Sequence, residues 1–228
     1  MKIKIKRFLS LMTIVFIAII AYHNVNKDVL DEDIIYINKY LVGINRDIKV
    51  SKMSYEQQLE LIKNVQSNVF KISPIGKGIP KFQERRPKDL YKRGYGLCFD
   101  RSFVMELIFE HLGFKTRHVS LYENKINTDM FSELMTPKIR SHAISEVKTK
   151  KGWVIVDSSS KWLGIDINNL PISMKKITAK VQWKKRPKDI FYDGNQHFAY
   201  GIYSRHGNFF KPYNFIPDYN ISEIMYNL

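Results

Sequence analysis

One cysteine, Cys98, stands in a chain of 228 residues, so no disulfide can close within it. The six histidines are scattered and show no paired spacing, so no metal site is expected. A phosphate loop and a dinucleotide fingerprint are both missing, and no cofactor is expected. Acidic residues are scarce: 22 Asp and Glu against 37 Lys and Arg leave a net charge of +15. Such a surface favours anionic lipid or an acidic envelope polymer as a partner. No nucleic-acid-binding motif accompanies the charge, so nucleic acid is not an expected partner. The hydrophobic fraction, 44%, is ordinary for a folded chain, and the length suits one domain with extensions.

The first seven residues, MKIKIKR, are basic, and Phe8 to Tyr22 follow without a charge. This is the layout of a signal peptide or a short signal anchor over residues 1–25. No A-x-A-like cleavage site follows, which favours an uncleaved anchor. The basic flank predicts a cytoplasmic N-terminus, with the rest of the chain on the extracytoplasmic side. Cleavage instead would give a secreted or periplasmic protein.

Residues 26–86 read as a helical lead-in and loop. Apolar spacing predicts a helix over 28–42, closed by Gly43. A second helix opens at Ser54, which has capping-box spacing to Gln57. Residues 73–89, rich in Pro, Gly and charge, read as loop. A core is expected over 87–170, with a helix from Cys98 to Leu112 ended by Gly113. Strands are predicted at 116–122, 141–147 and 153–156. Residues 171–228, rich in aromatics, read as short strands and loops extending the same domain.

Cys98 follows a Gly-containing turn and begins an amphipathic helix. The unpaired amides and partial positive charge of a helix start favour a thiolate, the nucleophilic form. The segments SHAISEV (141–147) and GWVIVDSSS (152–160) read as a hairpin. A turn centred on Thr149 and Lys150 would pair His142 with Asp157, Ile144 with Ile155 and Glu146 with Trp153, all on one face. A thiol needs a neighbouring imidazole to take its proton, and the imidazole needs a partner to orient it. Cys98, His142 and Asp157 supply these three roles.

The run Gly96, Cys98, Ser102, Gly113, Phe114 resembles the nucleophile helix of the transglutaminase-like superfamily. Ser141-His142-Ala143 and Gly152-Trp153 with Asp157 fit the same pattern, and the likeness spans roughly residues 88–167. It implies an α+β fold: a papain-like core with the nucleophile helix packed on an antiparallel β-sheet, preceded here by helices and the N-terminal membrane segment. It also implies thioester chemistry on a protein or peptide amide substrate. The SSSKWLGID stretch after Asp157 departs from the family's D-P or D-x-T pattern. The Cys98 N–H is the natural first oxyanion donor. Tyr95 and Gln83 are candidates for the second. Trp153 and Trp162 are candidates for the cleft wall, although aromatics beside a hairpin are more often core.

Three functions remain open on these residues. The first is a thiol-dependent enzyme acting on amide bonds, with hydrolysis by a peptidase or amidase preferred over transfer to an amine by a transglutaminase. The second is a binding or assembly module that keeps the fold without turnover. The third is a basic polyanion binder at a membrane.

Overall fold

The computed structural model describes residues 2–78, 85–123, 129, 140–185, 187, 190–194, 196–203 and 218–228. Its helices are α1 (Lys2–His23), α2 (Asp31–Tyr40), α3 (Tyr55–Ile72), α4 (Pro87–Arg93) and α5 (Cys98–His111). The strands β1 (Thr116–Tyr122), β2 (Ser141–Thr149), β3 (Gly152–Val156) and β4 (His197–Tyr200) form an antiparallel sheet in the order β3-β2-β1-β4. A two-stranded pair, β5 (Ile202–Tyr203) and β6 (Asp218–Tyr219), and the short helix Ile221–Ile224 complete the described elements.

Helix α5 is the centre of the fold. It packs on β1 and β2 along one side and on α2, α3 and α4 along the other. Val104, Met105, Leu107, Ile108 and Phe109 are all fully buried. Asp100, Arg101, Ser102 and Glu106 are buried too, so the helix lies inside the domain on nearly every side. Its end is set by chain chemistry. Gly113, at φ 94°, takes the left-handed conformation that a side chain resists. There the Gly113 and Phe114 amides bond the carbonyls of Glu110 and Phe109, which closes the last turn.

The two sheet faces divide by alternation. Val147, Val154 and Val156 join the core under α5. Val119, Leu121, Ile144 and Ile155 point the other way, into a second core with Ile172, Met174, Phe191, Tyr192 and Tyr200. The stretch 171–228 therefore covers one face of the sheet and, through β4, supplies its fourth strand.

Three expectations change. The loop over 73–89 ends early, because Pro87 stands at the start of α4, where its missing amide and fixed φ suit a helix. The hairpin register is shifted by two residues. Thr149 pairs with Gly152, Glu146 with Ile155 and Ser145 with Val156, so the turn is Lys150–Lys151. The Lys150 amide donates to Gln58 Oε1 of α3 at 2.9 Å, a tertiary contact that fixes the turn. A shift of two keeps every side chain on its face, where a shift of one would not.

The third change concerns the N-terminus. Among the described residues no helix is long and apolar enough to cross a membrane. The uncharged run from Phe8 to Tyr22 is 15 residues (22 − 8 + 1). At 1.5 Å per residue it spans about 22 Å, against a hydrocarbon core of roughly 30 Å. The spanning segment expected from the sequence is thus not found. Just beyond α1 the chain is tied to the C-terminal residues: Val25 N donates to Tyr219 O at 2.7 Å, and His23 Nδ1 lies 3.0 Å from Asp218 Oδ1.

Candidate active site

The approach to Cys98 is set by close packing. Gly96 bridges Ile75, and its amide donates to Pro74 O at 3.2 Å. A Cβ at Gly96 would lie 2.6 Å from Leu90 Cδ1 and 3.0 Å from Asp100 Cβ, so only glycine fits. Asp100 then caps the helix by accepting the Leu97 amide at 2.8 Å. Asp100 is itself 3.6 Å from Arg85 Nε. The result is a half-buried thiol on the first residue of a buried helix.

His142 and Asp157 meet this helix start at one end of the sheet, where β2 begins and β3 has just ended. Asp157 does not sit directly opposite His142. In the observed register it is the diagonal neighbour, on the same face and within reach of a long side chain. His142 Nε2 lies 3.1 Å from Asp157 Oδ2. The nearby Cys98 thiol, like Asp157, favours the charged form of the imidazole. The ring stacks on Phe191, with centroids 5.7 Å apart.

Burial is the largest influence on His142 and works against its charge. Hydrogen bonds and charges from Asp157 and Cys98 outweigh it and push the imidazole up to about 10. Burial likewise opposes the charge of Asp157. Bonds from His142, Tyr192 and the Ser159 amide prevail and hold the carboxyl down at about 2. The imidazolium and the carboxylate are therefore the stable forms here.

Asp157 is held from every side. Its Oδ2 accepts the Tyr192 hydroxyl as well as His142. Its Oδ1 accepts the Ser159 and Ser160 amides at 2.7 and 2.6 Å. This accounts for the unfamiliar SSS after the aspartate: the serines wrap the carboxylate in a local turn. Behind it, Gln66 of α3 donates to the carbonyls of Asp157 and Trp162 at 2.7 and 3.0 Å. Tyr192, Phe191 and Gln66 carry no motif, and only tertiary folding brings them to the site. The serine run was visible, and its nearness to Asp157 was the one signal available for it.

Of the remaining candidates, three are among the described residues. Tyr95 is partly exposed, rests against Gly76 and has the Arg93 guanidinium 4.6 Å above its ring. Gln83 lies outside the described residues. Trp162 is buried behind Tyr192, with ring centroids 4.6 Å apart, and donates to Lys185 O at 2.7 Å. Trp153 starts β3 and packs on Arg117 at 4.2 Å. Four residues of strand, roughly 13 Å, separate it from Asp157. Among the described residues no group of His, Cys, Asp and Glu could hold a metal ion.

No curated protein matches the chain. Residues 44–158 match the family described as the transglutaminase-like superfamily, an extent that reaches back through α3 and forward to the residue after Asp157. A cysteine at a helix start, a histidine on β2 and an aspartate just after β3, and a match over half the chain agree: the protein belongs to the transglutaminase-like superfamily.

Proposed function

We propose that this protein is a cysteine-dependent acyl-transfer enzyme that cleaves amide bonds in a protein or peptide and passes the acyl group to water. The observation that carries this reading is the buried His142 imidazole, held by Asp157 on one nitrogen and close enough to Cys98 for the thiol to favour its charged form. Family membership is consistent with thiol-dependent chemistry at that coarser level.

In this reading His142 takes the Cys98 proton and the thiolate attacks the amide carbonyl. The Cys98 amide, at the helix start, faces the developing oxyanion. The imidazolium, oriented by Asp157, returns its proton to the leaving amine, and a thioester remains. Water then adds to the thioester with His142 as base, and the thiol is released. Hydrolysis is preferred to transfer onto an amine, because keeping water from a thioester needs a closed amine channel.

The reading includes export. The basic start and an apolar run of signal-segment length support it, as does the exposure of Leu11, Ile14, Phe16 and Ile17 along α1. The net charge of +15 supports attraction to anionic lipid or an envelope polymer.

An activated acetyl ester offered to the protein tests the chemistry. Intact-mass measurement should show one acetyl group on the wild type and none on Cys98→Ala. The adduct should decay in water alone. Diversion of the acyl group onto an added primary amine would favour the transglutaminase reaction. Failure of Cys98 to acylate would leave a binding module.

A further inference from the structure

We propose that Arg101 is the fixed positive charge that stabilises the Cys98 thiolate, a positioning residue for the nucleophile. The inference rests on Cys98 being the nucleophile. It adds a fourth charged group to the triad.

Arg101 lies three residues after Cys98 on α5, so both side chains share a helix face. It is only 2% exposed, and its Nε has no hydrogen-bond partner. Nη2 has a long contact of 3.4 Å to Ser159 Oγ, and the guanidinium lies 4.7 Å over the Phe70 ring. Three other arginines of low exposure are matched to carboxylates, whereas the partly exposed Arg93 rests on Tyr95. Arg86 pairs with Asp33, Arg117 with Glu146, and Arg85 lies 3.6 Å from Asp100. Among the described residues Arg101 forms no ion pair within 4.0 Å. An unmatched buried cation costs several kcal/mol, on the order of what breaking a buried pair costs. A chain does not keep one there without a compensating anion nearby.

The groups around it are few. On its own helix they are Cys98 and Asp100, and from the turn after β3 come Asp157 and Ser159. From α3 comes the neutral Phe70 ring. The charges of Cys98, Asp157 and Asp100 all favour the charged guanidinium, in that order, against the opposing effect of burial. Asp157 already has His142, Tyr192 and three donors from its own turn. Asp100 has the Leu97 amide and Arg85. Cys98 is the anion left for Arg101. With a thiolate, an imidazolium, a carboxylate and a guanidinium the buried set is neutral, whereas without Arg101 it carries a net negative charge. In this proposal the guanidinium balances the charge of the thiolate without making the His142 proton easier to keep.

The test is the pH dependence of Cys98 alkylation by iodoacetamide in the full chain. Arg101→Met keeps the stem volume and removes the charge; it should move the acid edge of the profile upward by about one pH unit or more. Arg101→Lys restores a charge and should return the edge to within about 0.3 unit of wild type. Arg117→Met removes a buried arginine far from the thiol; it should lower the melting temperature and leave the edge in place. An Arg101→Met variant that loses melting temperature with an unmoved edge would overturn the inference, since Arg101 would then be packing only. If Arg101→Met does not fold, Cys98→Asp is compared with Cys98→Asn, both with His142→Ala. The aspartate should be at least as stable beside Arg101, and a clearly less stable aspartate would overturn the inference. The His142→Ala profile separates the two readings: a profile unchanged from wild type sinks the proposed function, while the Arg101 comparison stands by itself.

Discussion

Among the described residues two histidine–carboxylate pairs are built on a buried histidine, and only one of them makes a candidate active site. His142 and Asp157 are 3.1 Å apart, and His118 and Glu106 are 2.8 Å apart. Each carboxylate accepts a tyrosine hydroxyl: Tyr192 on Asp157, and Tyr203 on Glu106 at 3.0 Å. Each imidazole stacks on a ring, His142 on Phe191 and His118 on Tyr203. The difference lies on the other side of the imidazole. His142 meets a half-buried cysteine, whereas the Nε2 of His118 is buried without a partner. Around Glu106 stand Lys27, Ser145 and, through Lys27 and Tyr203, Glu223, which lock the N-terminal segment to the C-terminal helix. One pair faces Cys98, and the other is a buried clasp. A histidine beside a carboxylate is therefore no signature of chemistry without its third member.

The largest effect expected sharpens that contrast. Asp157→Asn should cut acyl transfer on the order of 10^3–10^4-fold, because the imidazole loses the partner that sets its orientation. Steady-state acylation of Cys98 measures it. A variant that keeps full activity would break the comparison. Glu106→Gln should do the reverse. It leaves His118 without its carboxylate, removes one of the three around Lys27, and should cost about 3–5 kcal/mol of stability. Urea unfolding measures the loss, and the alkylation profile of Cys98 should stay where it is.

Stability against pH should distinguish the pairs next. Asp157 sits at about 2, below its usual value of 3.8, so its contribution is present above about 4 and lost as pH falls towards 2. His142 sits at about 10, above 6.5, so its contribution is present below 6.5 and lost as pH rises towards 10. The two shifts report one interaction and are not added. Unfolding midpoints should therefore fall on both sides of that window in the wild type. His142→Ala should flatten the alkaline side. An unchanged alkaline slope in that variant would show that the pair does not hold its proton.

The smallest effects belong to the tyrosines. Tyr192→Phe and Tyr203→Phe should each cost about 1 kcal/mol, the usual worth of a buried hydroxyl bond. Only Tyr192→Phe should also shift the pH profile of Cys98. Equal silence from both would remove Tyr192 from the site.

The sequence carried more of the site than of its surroundings. Cys98 at a helix start, the Gly113 stop and the two strands that carry His142 and Asp157 were all legible, because glycine placement and alternation are local signals. The register was two residues off. A polar turn of lysines offers no mark of its centre, and the deciding contact, Gln58 to Lys150, comes from a helix about ninety residues away in sequence. Arg101 was hidden by type, since an arginine on a helix normally reads as surface. Phe191 and Tyr192 were hidden by distance, in a stretch with no periodicity to read. The basic, apolar N-terminus read clearly as a membrane-targeting pattern, but its length falls short of a span.

The central claim is that Cys98 and His142 form a thiolate–imidazolium pair. The direct measurement is the rate of Cys98 alkylation against pH in the wild type and in His142→Ala. A wild-type thiol that reacts well below about pH 8, the range of an ordinary cysteine, and a variant that loses this acidic limb are the expected results. Identical profiles with an ordinary thiol edge in both proteins would contradict the account and leave the fold as a binding scaffold.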